Sequence, residues 1–288
     1  MSDKLRNLIV RAASGAVLLI VVLAAAFLGR YGFAALLLVI TLVGMKEYYA
    51  MAAAVGAAPQ RCLGIVTGVA LFAAAFIYYE SLYVSAACVT QAAIWCAVIV
   101  LLMVVASFVV EIFRHKEHPM ANVAQTLLGV IYVALPMSLM LFVPYLLGGA
   151  AWRPEVFLFY LFIVWGNDVF AYLVGVAIGR HRLCERISPK KSWEGFFGGI
   201  AGAMAMGMLG AYVTCGDYLL WLGLAFVVAI MSVLGDLVES MFKREAGIKD
   251  SGNIIPGHGG MLDRFDALII SAPAALIYLL VVELLKIC

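Results

Sequence analysis

The chain has 288 residues, is 66% hydrophobic and only 12% charged, with a mean hydropathy of +1.08 and a formal net charge of +2. This composition excludes a soluble globular domain and a disordered chain alike, because it carries far more apolar surface than a soluble core can bury. Unbroken Ala/Leu/Val/Ile runs, in place of short alternating segments, exclude a closed β-barrel and predict an all-α polytopic membrane protein.

A helix crossing about 30 Å of hydrocarbon needs roughly 20 apolar residues. Nine candidate spans follow along the chain, at 8–28, 31–49, 62–79, 83–110, 122–147, 155–179, 194–215, 218–241 and 264–286. The first opens basic and then turns apolar, as a secretory signal does, but its apolar run is as long as a span and a second follows at once. It is expected to stay as a membrane helix. With the N-terminus in the cytoplasm, only Arg30, Arg153 and Lys286 of the 19 Lys and Arg residues fall on the opposite side. That asymmetry is what the positive-inside rule requires.

Residues 1–150 form N-terminal spans with no run of membrane-embedded acids, and 151–288 carry the polar motifs. No linker separates them, so one structural unit is expected. Gly195 and Gly199, then Gly198 and Gly202, repeat four apart in the seventh span, a spacing for close helix packing within the bundle or for a dimer contact. Trp152, Trp165, Trp193 and Trp221 are read as lying toward span ends, in the headgroup zone. The six cysteines show no C-x-x-C and no zinc spacing. Cys88 and Cys96 read as small apolar residues in a span, and pairing of Cys215 with Cys288 stays open.

Chemistry concentrates in the second half. Asp168, Asp236, Glu239, Asp263 and Asp266 are acids in or beside spans, where each ionised group costs roughly 2.5–3.5 kcal/mol at a helix centre. Asp236, Ser240 and Lys243 share one helix face at i, i+4 and i+7, and Asp263 and Asp266 share another at i and i+3. Carboxylates so gathered suit a hard divalent cation that also binds phosphates. Between them, Lys249-Asp250-Ser251-Gly252 and Pro256-Gly257-His258-Gly259-Gly260 make a glycine-rich loop flanked by Lys243, Arg244, Lys249 and Arg264. Such a loop can aim backbone N–H groups at an anion. The result reads as a triphosphate site, with His258 as a hydrogen-bond donor or a plain loop residue.

The order Ser240-x-Phe242-Lys243-Arg244, Lys249-Asp250, Pro256-x-His258-Gly259-Gly260-x-x-Asp263-Arg264-x-Asp266 resembles the hallmark motif of the phosphatidate cytidylyltransferases, or CDP-diacylglycerol synthases. Ser188-Pro-Lys-Lys-Ser-Trp-Glu-Gly195 and Asp168-x-Phe-Ala-Tyr172 resemble two further elements of that family, with Ser192 where Thr is common.

The resemblance implies transfer of the cytidylyl group of CTP to phosphatidic acid in the bilayer, with pyrophosphate released. It implies Mg2+, as one or two divalent ions, held by Asp236, Asp263 and Asp266, with Asp168 a weaker candidate. Lys243 and Lys249 would neutralise the leaving phosphates, Ser240 would donate to phosphate, and Lys190, Lys191, Arg244, His258 and Arg264 would bind substrate. A phosphate nucleophile is already ionised, so no Ser/His/Asp arrangement is needed. No nucleic acid is implied, and the expected setting is a bacterial inner membrane with the site facing the cytoplasm. The rivals are an ion-coupled transporter and a CTP-dependent polyprenol kinase.

Overall fold

The computed structural model describes residues 3–84, 87–149 and 151–287. Its elements are α1 (Asp3–Phe27), α2 (Gly29–Ala54), α3 (Arg61–Val84), α4 (Ala87–Arg114), α5 (Pro119–Gly129), a π-helical turn (Val130–Ala134), α6 (Leu135–Met140), α7 (Phe142–Gly148), α8 (Pro154–Ile178), β1 (Arg182–Cys184), β2 (Ser188–Ser192), α9 (Trp193–Thr214), α10 (Tyr218–Glu245) and α11 (Leu262–Ile287). Among the described residues, nine runs are long and apolar enough to cross a membrane, and they follow the nine expected spans in order. The fold is an all-α polytopic membrane architecture. α3 runs on past the expected end at 79 because Glu80 is paired with Arg30 at 2.9 Å and Tyr79 and Tyr83 are joined through their hydroxyls. Cys288 and the side chain of Cys88 lie outside the described residues.

The fifth span, Pro119–Gly148, is interrupted. Pro136 has no N–H to donate to Tyr132 and its ring crowds that carbonyl, and the widened π turn at Val130–Ala134 sits where this strain falls. The second departure from pure helix is a short antiparallel hairpin, β1 with β2, pairing Arg182 with Ser192 and Cys184 with Ser188.

The chain forms two compact units, one of residues 1–141 with 242–265 and one of 142–241 with 266–288. The sequence expectation kept everything after 150 in a single catalytic region, whereas 242–265 joins the N-terminal helices. Phe242 explains this locally, because its ring packs edge-on against Tyr48 at 6.2 Å and Tyr132 at 5.2 Å. The core of this first unit gathers around Tyr49, whose hydroxyl donates to the Thr126 carbonyl at 2.9 Å. Glu111, buried in α4, accepts from Gln60, Asn122 and Arg114, so its charge is met by three donors inside the unit.

In the second unit α8 packs along α9. A Cβ on Gly195 would lie 2.7 Å from the Ala171 carbonyl oxygen, and one on Gly199 would lie 2.6 Å from Asn167. Gly198 faces Val174 and Gly202 faces Phe170 in the same way, so all four glycines serve packing within the chain. Ser192 begins α9 as its N-cap, its Oγ accepting from the Gly195 N–H at 3.1 Å. Threonine carries the same hydroxyl, so serine does that work equally here. Trp165 departs from the expected placement toward a span end, lying midway along α8, whereas Trp221 lies in the first turn of α10, 1% exposed, with its ring against Gly210 and Gly216.

Candidate active site

The motif residues divide between the two units. In the first, the chain leaves α10 through Gly247, whose positive φ of 68° lets Ile248 N–H reach the Lys243 carbonyl at 3.0 Å. The loop then turns back on itself, the Ile255 N–H donating to the Gly259 carbonyl at 3.0 Å and the His258 N–H to the Ile255 carbonyl at 2.9 Å, and enters α11. Gly259 has φ of 84°, and a Cβ there would sit 2.6 Å from Asp263 Oδ2, so glycine is required on both counts.

Asp263 organises this turn. Its Oδ1 accepts from Lys243 Nζ at 2.6 Å, and its Oδ2 accepts from Ser251 N–H at 2.8 Å, Ser251 Oγ at 3.0 Å and Gly260 N–H at 2.7 Å. The loop therefore does aim N–H groups at an anion, but the anion is the protein's own carboxylate. His258 Nδ1 lies 2.7 Å from Ser14 Oγ on α1, and Arg264 Nε donates to the His258 carbonyl at 3.0 Å. Burial, with the nearby guanidinium groups of Arg264 and Arg11, holds the His258 imidazole below its ordinary value. Lys249 and Arg244 are exposed.

The second unit holds the acids. Oxygens of Asp236, Glu239 and Asp266 all lie within 4.8 Å of one another. Gly235 makes this approach possible, since a Cβ there would lie 2.6 Å from the Asp266 carbonyl oxygen, so α10 and α11 touch backbone to backbone beside the acids. Ser240 Oγ donates to Asp236 Oδ1 at 3.2 Å, and Lys191 Nζ reaches Asp236 Oδ2 at 2.5 Å. Three carboxylates at this spacing offer hard oxygen donors, and they fit a divalent cation such as Mg2+. Asp236 also borders a cavity of about 600 Å³ lined by Asp168 and Tyr172 of α8, Arg182, Lys190 and Lys191 of the hairpin, and Phe196 of α9.

Of the residues expected to act together, Asp236 and Asp266 share the carboxylate group, Asp168, Lys190 and Lys191 share the cavity with Asp236, and Asp263 is joined to Lys243. Glu239 enters the acidic group although it is absent from the expected ligand set. Its place at i+3 from Asp236 was a usable signal. Glu47, Ser251 and Ser14 also make contacts in the first unit that no spacing announces.

The Cytidylyltransferase family matches residues 9–282. A protein of Synechocystis sp. named phosphatidate cytidylyltransferase is 33% identical over 290 residues, covering 90% of this chain and 92% of that protein. Proteins of the same name from Rickettsia bellii and Pseudomonas aeruginosa are 36% and 47% identical over 53% and 40% of this chain, covering 68% and 45% of their own lengths. A match running through all nine spans, with one relative aligned nearly end to end, means that the chain belongs to the cytidylyltransferase family.

Proposed function

We infer that this protein transfers the cytidylyl group of CTP to phosphatidic acid, giving CDP-diacylglycerol and pyrophosphate. The observation that carries the reading is the carboxylate group of Asp236, Glu239 and Asp266 set against a cavity lined by Lys190, Lys191 and Arg182. A reaction between two phosphate anions needs positive charge on the phosphates and a fixed geometry, and little else. A lipid phosphate oxygen forms a bond to the α-phosphorus of CTP, and the bond from that phosphorus to the bridging oxygen breaks, releasing pyrophosphate.

Asp236, Glu239 and Asp266 would hold the divalent ion, Mg2+ as one or two ions, which when bound supplies positive charge to the phosphates. Lys190 and Lys191 bind substrate phosphate in the cavity, and Asp236 orients Lys191 through their ion pair. Lys243 and Lys249 neutralise the departing phosphates, with Arg244, His258 and Arg264 as further contacts. Asp263 fixes Lys243; to act as a metal ligand as well it would have to share the oxygen that Lys243 now holds. The Lys/Arg asymmetry of the loops supports a cytoplasmic site in a bacterial inner membrane.

The test is position of label. With purified protein, Mg2+ and phosphatidic acid, label at the α-phosphate of CTP is expected in the lipid product, and label at the γ-phosphate in pyrophosphate. A polyprenol kinase would instead leave α-label in CDP, and that outcome would overturn the assignment. Chelation of divalent ions is expected to stop the transfer and added Mg2+ to restore it.

A further inference from the structure

Glu47 lies near the end of α2, in the half of the chain without motifs, and is 8% exposed. Among the described residues, every polar contact its carboxylate makes is to the segment preceding or opening α11. Oε1 accepts from the Met261 N–H at 2.9 Å, and Oε2 accepts from the Leu262 N–H at 2.8 Å and from Ser251 Oγ at 3.0 Å. Two of these donors are backbone groups at the first turn of α11, which has no earlier carbonyls to receive them. A carboxylate there is also favoured by the helix dipole. The same Ser251 hydroxyl lies 3.0 Å from Asp263 Oδ2, so its single proton is shared between the two carboxylates, and because the Ser251 N–H also donates to Asp263 at 2.8 Å, a line of polar contacts runs from Glu47 through Ser251 to Asp263 and on to Lys243. Space is matched to the same purpose. A Cβ on Gly260 would lie 2.6 Å from Glu47 Oε2, so the loop has been stripped of a side chain where Glu47 enters.

We propose that Glu47 is a positioning residue of the cytidylyl transfer, setting the Asp263–Lys243 pair by clamping the loop from Ser251 to Leu262. The proposal rests on the function inferred above. Both oxygens of Glu47 face donors, so the site needs an acceptor at each. Glutamine keeps the shape but turns one of those atoms into an NH2 group, leaving a donor facing a donor.

The experiment compares wild type with Glu47→Gln, Ser251→Ala and the double variant as full-length protein in detergent. Expected for Glu47→Gln is a fall of about tenfold or more in kcat/KM for CTP, an unchanged KM for phosphatidic acid, and a melting temperature within about 3 °C of wild type. The double variant is expected to be no worse than the poorer single one, because both break the same line. Wild-type kinetics in Glu47→Gln, a loss that follows a fall in melting temperature, or losses that multiply in the double variant would each overturn the proposal. If Glu47→Gln does not accumulate as folded protein, Glu47→Asp replaces it, with two acceptors but one methylene less reach; wild-type kcat there overturns the proposal and a reduced kcat with unchanged lipid KM supports it. An inactive wild type would count against the inferred function and not against Glu47.

Discussion

Asp263 illustrates how much a single carboxylate can hold. It is bonded on one side to a lysine and on the other to the backbone and side chain of the loop, and its neighbours would face an amide nitrogen if it became asparagine. Asp263→Asn is therefore expected to lower kcat by about 10²-fold or more, the scale of losing one preorganised electrostatic contact, while folded protein is still recovered from membranes. Activity at the wild-type level would remove Asp263 from the machinery. His258 gives a second residue-level expectation. Its imidazole is held below its ordinary value of 6.5 by burial first and by Arg264 and Arg11 next, so the unfolded chain takes up a proton more readily than the folded one. The stability that His258 contributes is full above the ordinary value and is lost as pH falls through the lowered one. The melting temperature should drop on acidification across that window, and the drop should be smaller in His258→Asn; identical slopes would contradict it. Asp263, His258 and Lys243 stand together in one contiguous motif of the sequence, but the bonds that Asp263 makes to Lys243 and to the loop do not show there. Glu47 was not legible as part of the site, since 204 residues separate it from Ser251 and a glutamate beside Lys46 reads as an ordinary span end.

Helices behave differently from residues in this chain, because lipid forces their existence and side chains decide only their contacts. Each span was readable from hydropathy alone, since no backbone N–H can be left unpaired in hydrocarbon. What hydropathy did not carry was the contact surface. Trp221 has the ring of an interfacial anchor and is buried within the chain, because Gly210 and Gly216 leave room for its indole. Nor does hydropathy distinguish the hairpin of β1 and β2, which carries Lys190 and Lys191, from an ordinary basic loop. The approach of α10 to α11 at Gly235 tests whether contact and chemistry are coupled. Gly235→Ala would push a methyl group to 2.6 Å from the Asp266 carbonyl, so α10 and α11 must separate beside the acids. An overpacking cost of about 1–3 kcal/mol is expected. The Mg2+ concentration for half-maximal activity should rise along with it, and a variant with unchanged Mg2+ dependence would show that the carboxylates tolerate the shift.

At the scale of the molecule, α9 separates two cysteines that serve as markers. Cys184 lies in the hairpin before the helix, and Cys215 lies exposed at its far end. In variants retaining one cysteine each, a membrane-impermeant maleimide should reach Cys184 only from the side that receives CTP and Cys215 only from the other. Labelling of both from one side would contradict α9 as a span. The general architecture was thus open to reading from composition, whereas the division of the motif between two units was not, because it depends on where Phe242 packs. The cavity beside Asp236 has a last consequence. Two of its lining residues, Tyr172 and Val176, are 70% and 71% exposed on α8, a helix whose apolar length is only 22% buried, so the cavity wall is continuous with a face that lipid would wet. A substrate with two acyl chains can then arrive sideways, without leaving its leaflet, and the enzyme meets it in two dimensions. The relevant concentration becomes the mole fraction of phosphatidic acid in the surface. In mixed micelles, adding inert detergent at constant bulk phosphatidic acid should slow turnover, while diluting micelles and buffer together at saturating CTP should leave the rate per enzyme unchanged.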